Sequence, residues 1–423
     1  MLFDAARHEP LQPIAWDENR VRACIAHIVQ ETESRFSPRT YWPLHQRDLD
    51  LGVDPTQPAY PLYHGACGVF WGLHYLHAIG AARLGRSYTG GLEDLSVLNR
   101  AWLRSLGSQD DASYMMGDAP ILMLAHGQDP TPESSDRLET LLAGNLDNPT
   151  RELMWGAPGS LLATLFLHQF SGERRWAELF HLASARLRSQ LQWSPEYACE
   201  YWTQDMYGAT SSYLDGVHGF VATAAPLIRG RHLLDAKTWA EWERTIVNTI
   251  ERTATREGLQ ANWRNTLYLP EGEKSKWLMQ FCHGAPGFIC CLADLPSNAL
   301  DPLLEAGGEA IWAAGPLAKG SNLCHGTGGN GYAFLKIYCR TGEAKWLQRA
   351  RAFAMHGIDQ TETDERQYGQ LRYSLWTGDI GFAIYLWDCL RAAATFPTLD
   401  VFFTGMDGSS EDQRNPLRSI NPK

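Results

Sequence analysis

The sequence predicts an all-α protein, an α/α toroid in which seven inner helices alternate with seven outer ones. Three observations carry this reading. A short glycine motif recurs seven times, an apolar run follows each copy, and amphipathic segments fill the intervals.

The motif is a small or aromatic residue, a glycine, two or three residues, a second glycine or small residue, then the apolar run. In chain order the copies are YHGACGVFWGL from Tyr63, MGDAPILML from Met116, WGAPGSLLATL from Trp155, VHGFVATAAPL from Val217, CHGAPGFICCL from Cys282, CHGTGGNGYAFL from Cys324 and WTGDIGFAIYL from Trp376. The lead glycines are Gly65, Gly117, Gly156, Gly219, Gly284, Gly326 and Gly378. Their spacing of roughly 40 to 65 residues leaves room for two helices per step, the signature of a repeat architecture. A single copy would read as loop punctuation; seven copies, each opening an apolar run, do not.

The runs after the motif are apolar nearly all round, which predicts buried inner helices. The segments between copies are polar on one side. In SGERRWAELFHLASARLRSQL, from Ser171, the residues Trp176, Leu179, Phe180, Ala183 and Leu187 share one helical face. AKTWAEWERTIVNTIERT from Ala236 and GEAKWLQRARAFAMHGI from Gly342 are built alike. Strand signals are few. The glycines fall where inner helices begin, where several backbones crowd and a missing Cβ permits close approach and positive φ. Helix N-termini there also carry unpaired N–H groups that suit anions and thiolates. The expected division is an N-terminal helical extension over 1–60, with a helix near Val21 to Phe36 packed on the toroid, the toroid over 61–395, and a polar C-terminal tail over 396–423.

Bulk properties narrow the function. The net charge of −11, with no long basic run against it, argues against nucleic acid. No apolar stretch approaches the roughly 20 residues that span a bilayer. The N-terminus lacks a basic flank followed by an apolar run, so no signal peptide is expected. Nine scattered cysteines fit free thiols in a reducing compartment better than a disulfide framework. A cytoplasmic protein is the expectation.

Two copies carry Cys-His-Gly: Cys282-His283-Gly284 and Cys324-His325-Gly326. If the inner helices begin at one end of the toroid, these neighbouring copies bring two thiols and two imidazoles together. Cys and neutral His are favoured zinc ligands, and three protein ligands with one open position mark a catalytic zinc. Two thiolates also neutralise the dication. A lone Cys-His dipeptide is ordinarily a core thiol beside a surface imidazole; two at matching repeat positions are a stronger signal. Spacing alone leaves open which three of the four side chains bind.

FCHGAPGF and LCHGTGGNGYAFL resemble the paired metal-binding motifs of the LanC-like family, the lanthionine cyclases and their eukaryotic relatives. The other five copies resemble the remaining family repeats in order, so the resemblance runs from about Tyr63 to Leu386. It implies zinc held by Cys282, Cys324 and His325, with His283 supporting. It implies His218 as general acid/base with Asp118 near it, and Lys319 as a residue linked to glutathione binding. Read from the residues alone, His218 is equally a helix-start histidine bonded to a carbonyl, Asp118 a helix N-cap and Lys319 a solvated lysine. The chain departs from the family at Ala222 and Pro120, where a second glycine is usual, at Phe281, where tryptophan is usual, and at Leu278, where cyclases place an arginine.

The implied reaction is zinc-dependent addition of a thiol to dehydroalanine or dehydrobutyrine, forming a thioether. The thiol is a cysteine of the substrate peptide or glutathione. The acceptor is a peptide or protein whose dehydroamino acids come from a separate dehydratase or lyase, since the first ~60 residues are too few for a further catalytic domain. Two other readings compete. A glycosidase or epimerase on an α/α barrel would use the 16 Trp and 16 Tyr for sugar stacking, together with two placed carboxylates. A non-catalytic glutathione-binding protein would keep the fold and the metal without turnover.

Overall fold

The computed structural model describes residues 2–51, 58–88, 90–269, 272 and 276–405. The part of the expected tail from Met406 to Lys423 lies outside them. Among the described residues the fold is mostly helical, with fourteen α-helices. Seven begin at the motif copies: α2 (Ala66–Ala78), α4 (Ala119–Gln128), α6 (Ala157–Ser171), α8 (Phe220–Arg229), α10 (Ala285–Leu292), α12 (Thr327–Thr341) and α14 (Asp379–Arg391). Between them come α3 (Leu92–Ser105), α5 (Pro132–Ala143), α7 (Arg174–Ser189), α9 (Ala236–Thr253), α11 (Asp301–Ala314) and α13 (Ala344–Tyr368). The remaining helix, α1 (Glu18–Ser34), precedes the first copy and packs against α14 and α13.

Burial follows the sequence pattern. Every residue of α6 from Ala157 to Leu167 is buried. Its neighbour α7 buries only Trp176, Leu179, Phe180, Ala183, Ser184 and Leu187, one stripe of an otherwise wet helix. The two kinds of helix therefore differ in how much water they see, as their compositions dictate.

The motif segments are tied to each other by backbone hydrogen bonds. Tyr63 N–H donates to Met115 O at 3.0 Å, Met115 N–H to Met154 O at 3.1 Å, and Leu153 N–H to Val217 O at 3.3 Å. Further on, Cys282 N–H donates to Cys324 O at 3.1 Å, Cys324 N–H to Trp376 O at 2.9 Å, and Trp376 N–H back to Tyr63 O at 3.1 Å. Between the fourth and fifth copies the contact is backbone on backbone: a Cβ on Gly216 would lie 2.9 Å from Gly287 Cα. The last copy is thus bonded to the first.

Close approach explains the second glycine of the motif. A Cβ would meet the carbonyl oxygen six residues earlier at Gly68, Gly159, Gly287, Gly329 and Gly381 alike, at 1.9–2.4 Å. Positive φ is needed at only one lead glycine, Gly284, at +102°; the others that cap helices have extended backbone. Crowding, not handedness, selects most of these glycines.

Among the described residues, three two-stranded antiparallel hairpins interrupt the helical pattern between α7 and α10. They pair β1 (Gln192–Ser194) with β2 (Cys199–Tyr201), β3 (Gln204–Met206) with β4 (Ala209–Ser211), and β5 (Ala254–Glu257) with β6 (Gln260–Trp263). Tyr207 and Gly208 turn the second hairpin, both at positive φ.

The last described segment is part of the core. Phe396 and Phe402 are buried, and Asp400 accepts from Lys336 Nζ at 2.7 Å and from Arg229 Nη1 at 2.6 Å. Lys336 is 5% exposed, within the stretch of α12 from Thr327 to Ile337 that is buried throughout. Removing one member of such a pair strands the other. Lys336→Met is expected to lower stability by about 3 kcal/mol, read as a lower urea midpoint at unchanged slope. An unchanged midpoint would show the pair to be dispensable.

Candidate metal centre and its histidine pairs

The turns before α10 and α12 carry Cys282-His283 and Cys324-His325, and the Cys282 N–H bond to Cys324 O holds the two turns together. One ligand atom each from Cys282, Cys324 and His325 lies within 4.8 Å of the other two. Cys324 is 2% exposed; Cys282 and His325 are partly buried. Two soft sulfurs and a borderline nitrogen converging on one point suit a divalent metal ion. These side chains could hold one.

The two thiols share a hydrogen bond and titrate as a pair. The bond from Cys282, against the opposing effect of burial and with help from Tyr63, pulls the Cys324 thiol below its ordinary value. The same bond and burial push Cys282 up. Cys324 is therefore the first to ionise.

His283, the fourth ligand candidate, points elsewhere. Its Nδ1 lies 2.7 Å from Asp215 Oδ2. His218 makes a matching pair, Nδ1 to Glu152 Oε2 at 2.9 Å. Both carboxylates are fully buried, and the ring of Tyr213 stands 5.7 Å from that of His218 and 6.5 Å from that of His283. Burial alone would lower both histidines. For His218 the hydrogen bond and charge of Glu152, with Asp215 and Cys282, outweigh it and raise the imidazole to about 9. For His283 the charge of Asp215 leads the terms that raise it. Each pair sets an imidazole raised above its ordinary value against a buried carboxylate.

The carboxylate that partners His218 is Glu152, not Asp118. Asp118 is the N-cap of α4, but its side chain caps nothing. It accepts from Ser96 Oγ at 2.7 Å and Asn99 Nδ2 at 3.1 Å, and pairs with Arg100 at 3.1 Å. Its neighbours on α3 claim it because α3 packs on α4. Lys319 is exposed; its carbonyl oxygen accepts from Arg47 at 3.1 Å and Asn322 at 3.3 Å.

Glu152 and Asp215 escaped the sequence reading, although a signal was present. In four copies a polar side chain accepts the N–H of the residue just before the lead glycine, three positions on: Ser113 from Met116, Glu152 from Trp155, Asp215 from His218 and Asn322 from His325. This local turn fixes each motif before its helix starts. The acidic examples turn their second oxygen to a histidine.

Three comparisons place the chain among known proteins. A family profile described as lanthionine synthetase C-like protein matches residues 57–401. The glutathione S-transferase LANCL1 of Danio rerio is 28% identical over 344 residues, 73% of this chain and 78% of that one. The LanC-like protein GCL1 of Arabidopsis thaliana is 37% identical over 92 residues, 20% of this chain and 21% of that one. Among solved structures, nisin cyclase aligns with a TM-score of 0.59 at 15% identity, covering 86% of this chain and 97% of that chain. That likeness is one of fold.

Proposed function

Since the chain belongs to the lanthionine synthetase C-like family, we propose that it adds a thiol across the double bond of dehydroalanine or dehydrobutyrine in a peptide or protein, using zinc held by Cys282, Cys324 and His325. The observation that carries the reading is the convergence of those three side chains within 4.8 Å, with two histidine–carboxylate pairs in the neighbouring motif turns. On this reading the inner helices close as an α/α toroid over 61–395, with the ring of backbone bonds from Tyr63 round to Trp376 as its seam. Residues 1–60 are an extension packed on it.

Cys282, Cys324 and His325 would hold the zinc, which would supply a Lewis acid that favours the ionised form of an incoming thiol. The thiolate sulfur forms the bond to Cβ, the C=C bond breaks, and Cα takes a proton. His218, held charged by Glu152, is the group to give it. His283 stands 6.5 Å from the Tyr213 ring, and the charge of Asp215 favours its protonated form, which would offset the developing enolate. Asp118 has a structural part on this reading, and Lys319 contacts the thiol donor's carboxylates at the rim. Glutathione is taken as the donor because the Danio rerio relative is a glutathione S-transferase. A separate dehydratase or lyase makes the acceptor. Among the described residues no helix is long and apolar enough to cross a membrane.

The test is incubation of the zinc-loaded protein with a dehydrobutyrine peptide and glutathione, followed by mass. A peptide heavier by one glutathione is expected. No adduct above background, with no peptide cyclisation when the peptide carries its own cysteine, would leave a binding protein.

The role of His218 has its own signature. Turnover should fall as pH rises through about 9, where the imidazole loses its proton. Glu152→Gln removes the carboxylate that holds the proton there. It should cut kcat about 100-fold and move the basic limb down by about one pH unit or more. The pair also stabilises the fold: a raised imidazole contributes fully below its ordinary value of 6.5 and fades as pH climbs through about 9. A variant with the wild-type pH profile would take His218 out of the reaction.

A further inference from the structure

Beyond the three ligand side chains, each sulfur of the cluster receives one hydrogen bond from a neutral donor. Tyr63 Oη lies 2.9 Å from Cys324 Sγ, and Gln280 Nε2 lies 2.9 Å from Cys282 Sγ. The two donors come from the first copy of the motif and from just before the fifth, far apart along the chain.

Both donors are held firmly. Tyr63 is 8% exposed, its N–H is bonded to Met115 O, and its own carbonyl accepts from Trp376 N–H, so its backbone is fixed on both sides. The only bond drawn from its hydroxyl goes to the sulfur among the described residues. Gln280 is 5% exposed and closes a tight loop with His283, each N–H bonded to the other's carbonyl at 3.0 Å. Its amide orientation follows from chemistry. Arg7 Nη2 lies 2.9 Å from the Gln280 Oε1 end, and a guanidinium can only donate. The end facing Arg7 must therefore be the oxygen, and the end facing Cys282 the NH₂.

We propose that Tyr63 and Gln280 are positioning residues of the metal centre, each aiming one sulfur and drawing charge from it through a single hydrogen bond. The proposal rests on the metal reading given above. A sulfur anion has several lone pairs; one committed to a fixed donor leaves the rest directed at the common point of the three ligands. Two buried anionic sulfurs are costly, and two donors offset part of that cost without adding charge. Partners of this kind orient ligands and tune what they bind.

Cobalt(II) reports on the sulfurs directly. The wild-type protein, Tyr63→Phe and Gln280→Leu are loaded with Co²⁺, the sulfur-to-cobalt charge-transfer band is recorded, and affinity is read by chelator competition. Losing a hydrogen bond raises the energy of the sulfur lone pair, so the band moves to lower energy in each variant. Affinity is expected to fall about 10- to 100-fold in each. Thermal melting of the metal-free proteins runs alongside. A lower melting temperature with an unmoved band would mean a packing role only and would overturn the proposal for that residue. If Tyr63→Phe does not fold, Gln280→Leu decides, since its amide sits in a loop. A wild-type protein with no sulfur-to-cobalt band would instead defeat the metal reading itself, a result distinct from equal bands in all three proteins.

Discussion

On the proposed function, Cys324→Ala is expected to lose metal binding and thioether formation together. Cys324 is the most buried of the three candidate ligand side chains and the thiol that ionises first. Alanine there leaves only Cys282 and His325, and it strands the Tyr63 hydroxyl bonded to that sulfur at 2.9 Å. A protein zinc site contributes roughly 10–16 kcal/mol, so one ligand's share is about 4 kcal/mol, on the order of a thousandfold in affinity. Metal analysis after dialysis should fall from about one zinc per chain to a small fraction. Cys291→Ala is the control. Cys291 is equally a buried thiol, 4% exposed on α10, yet it has no place in the cluster and should keep full metal content. Equal metal in Cys324→Ala and the wild type would remove the centre from the account.

Gly329→Ala is expected to have the largest effect on folding. A Cβ at this position would lie 1.9 Å from Leu323 O, 2.9 Å from Leu323 C and 3.2 Å from Phe281 Cβ. The nearest atoms belong to backbone, and to the residue just before Cys324. They cannot turn aside as a side-chain end would. Relief requires α12 to move away from its own motif turn, which would also carry Cys324 out of register with Cys282. The loss should exceed about 4 kcal/mol, in the range reserved for disrupted cores. Low soluble yield, or a large drop in urea midpoint in whatever is recovered, is the readout. Gly172→Ala makes the contrast. That glycine caps α6 at φ +68° with nothing within 4 Å of a Cβ, so only the left-handed backbone is penalised, by about 1 kcal/mol. Similar costs for the two substitutions would refute the crowding argument.

The sequence was most informative where the physics is local. An apolar run after each glycine motif fixes a buried helix, and a one-sided stripe such as Trp176, Leu179, Phe180, Ala183 and Leu187 fixes a surface one, because helix period and burial are both written in neighbouring residues. The Cys-His-Gly pair was legible for the same reason. Equivalent repeat positions occupy equivalent places, so two copies of one dipeptide foretell a cluster. The hairpins between α7 and α10 were missed because each strand is only three or four residues long, too short for an alternation pattern to show.

What the sequence by itself determined was the alternation of helices and the residue types gathered where they begin. Only the tertiary structure decided which side chains meet. It turned His283 to Asp215, gave His218 to Glu152 across 66 residues of chain, and left Asp118 with Ser96 and Asn99. It also brought Tyr63 from the first copy onto the sulfur of the sixth. The reason is physical: periodicity encodes which face of a helix is dry, whereas a hydrogen bond depends on distances between helices that no local pattern records.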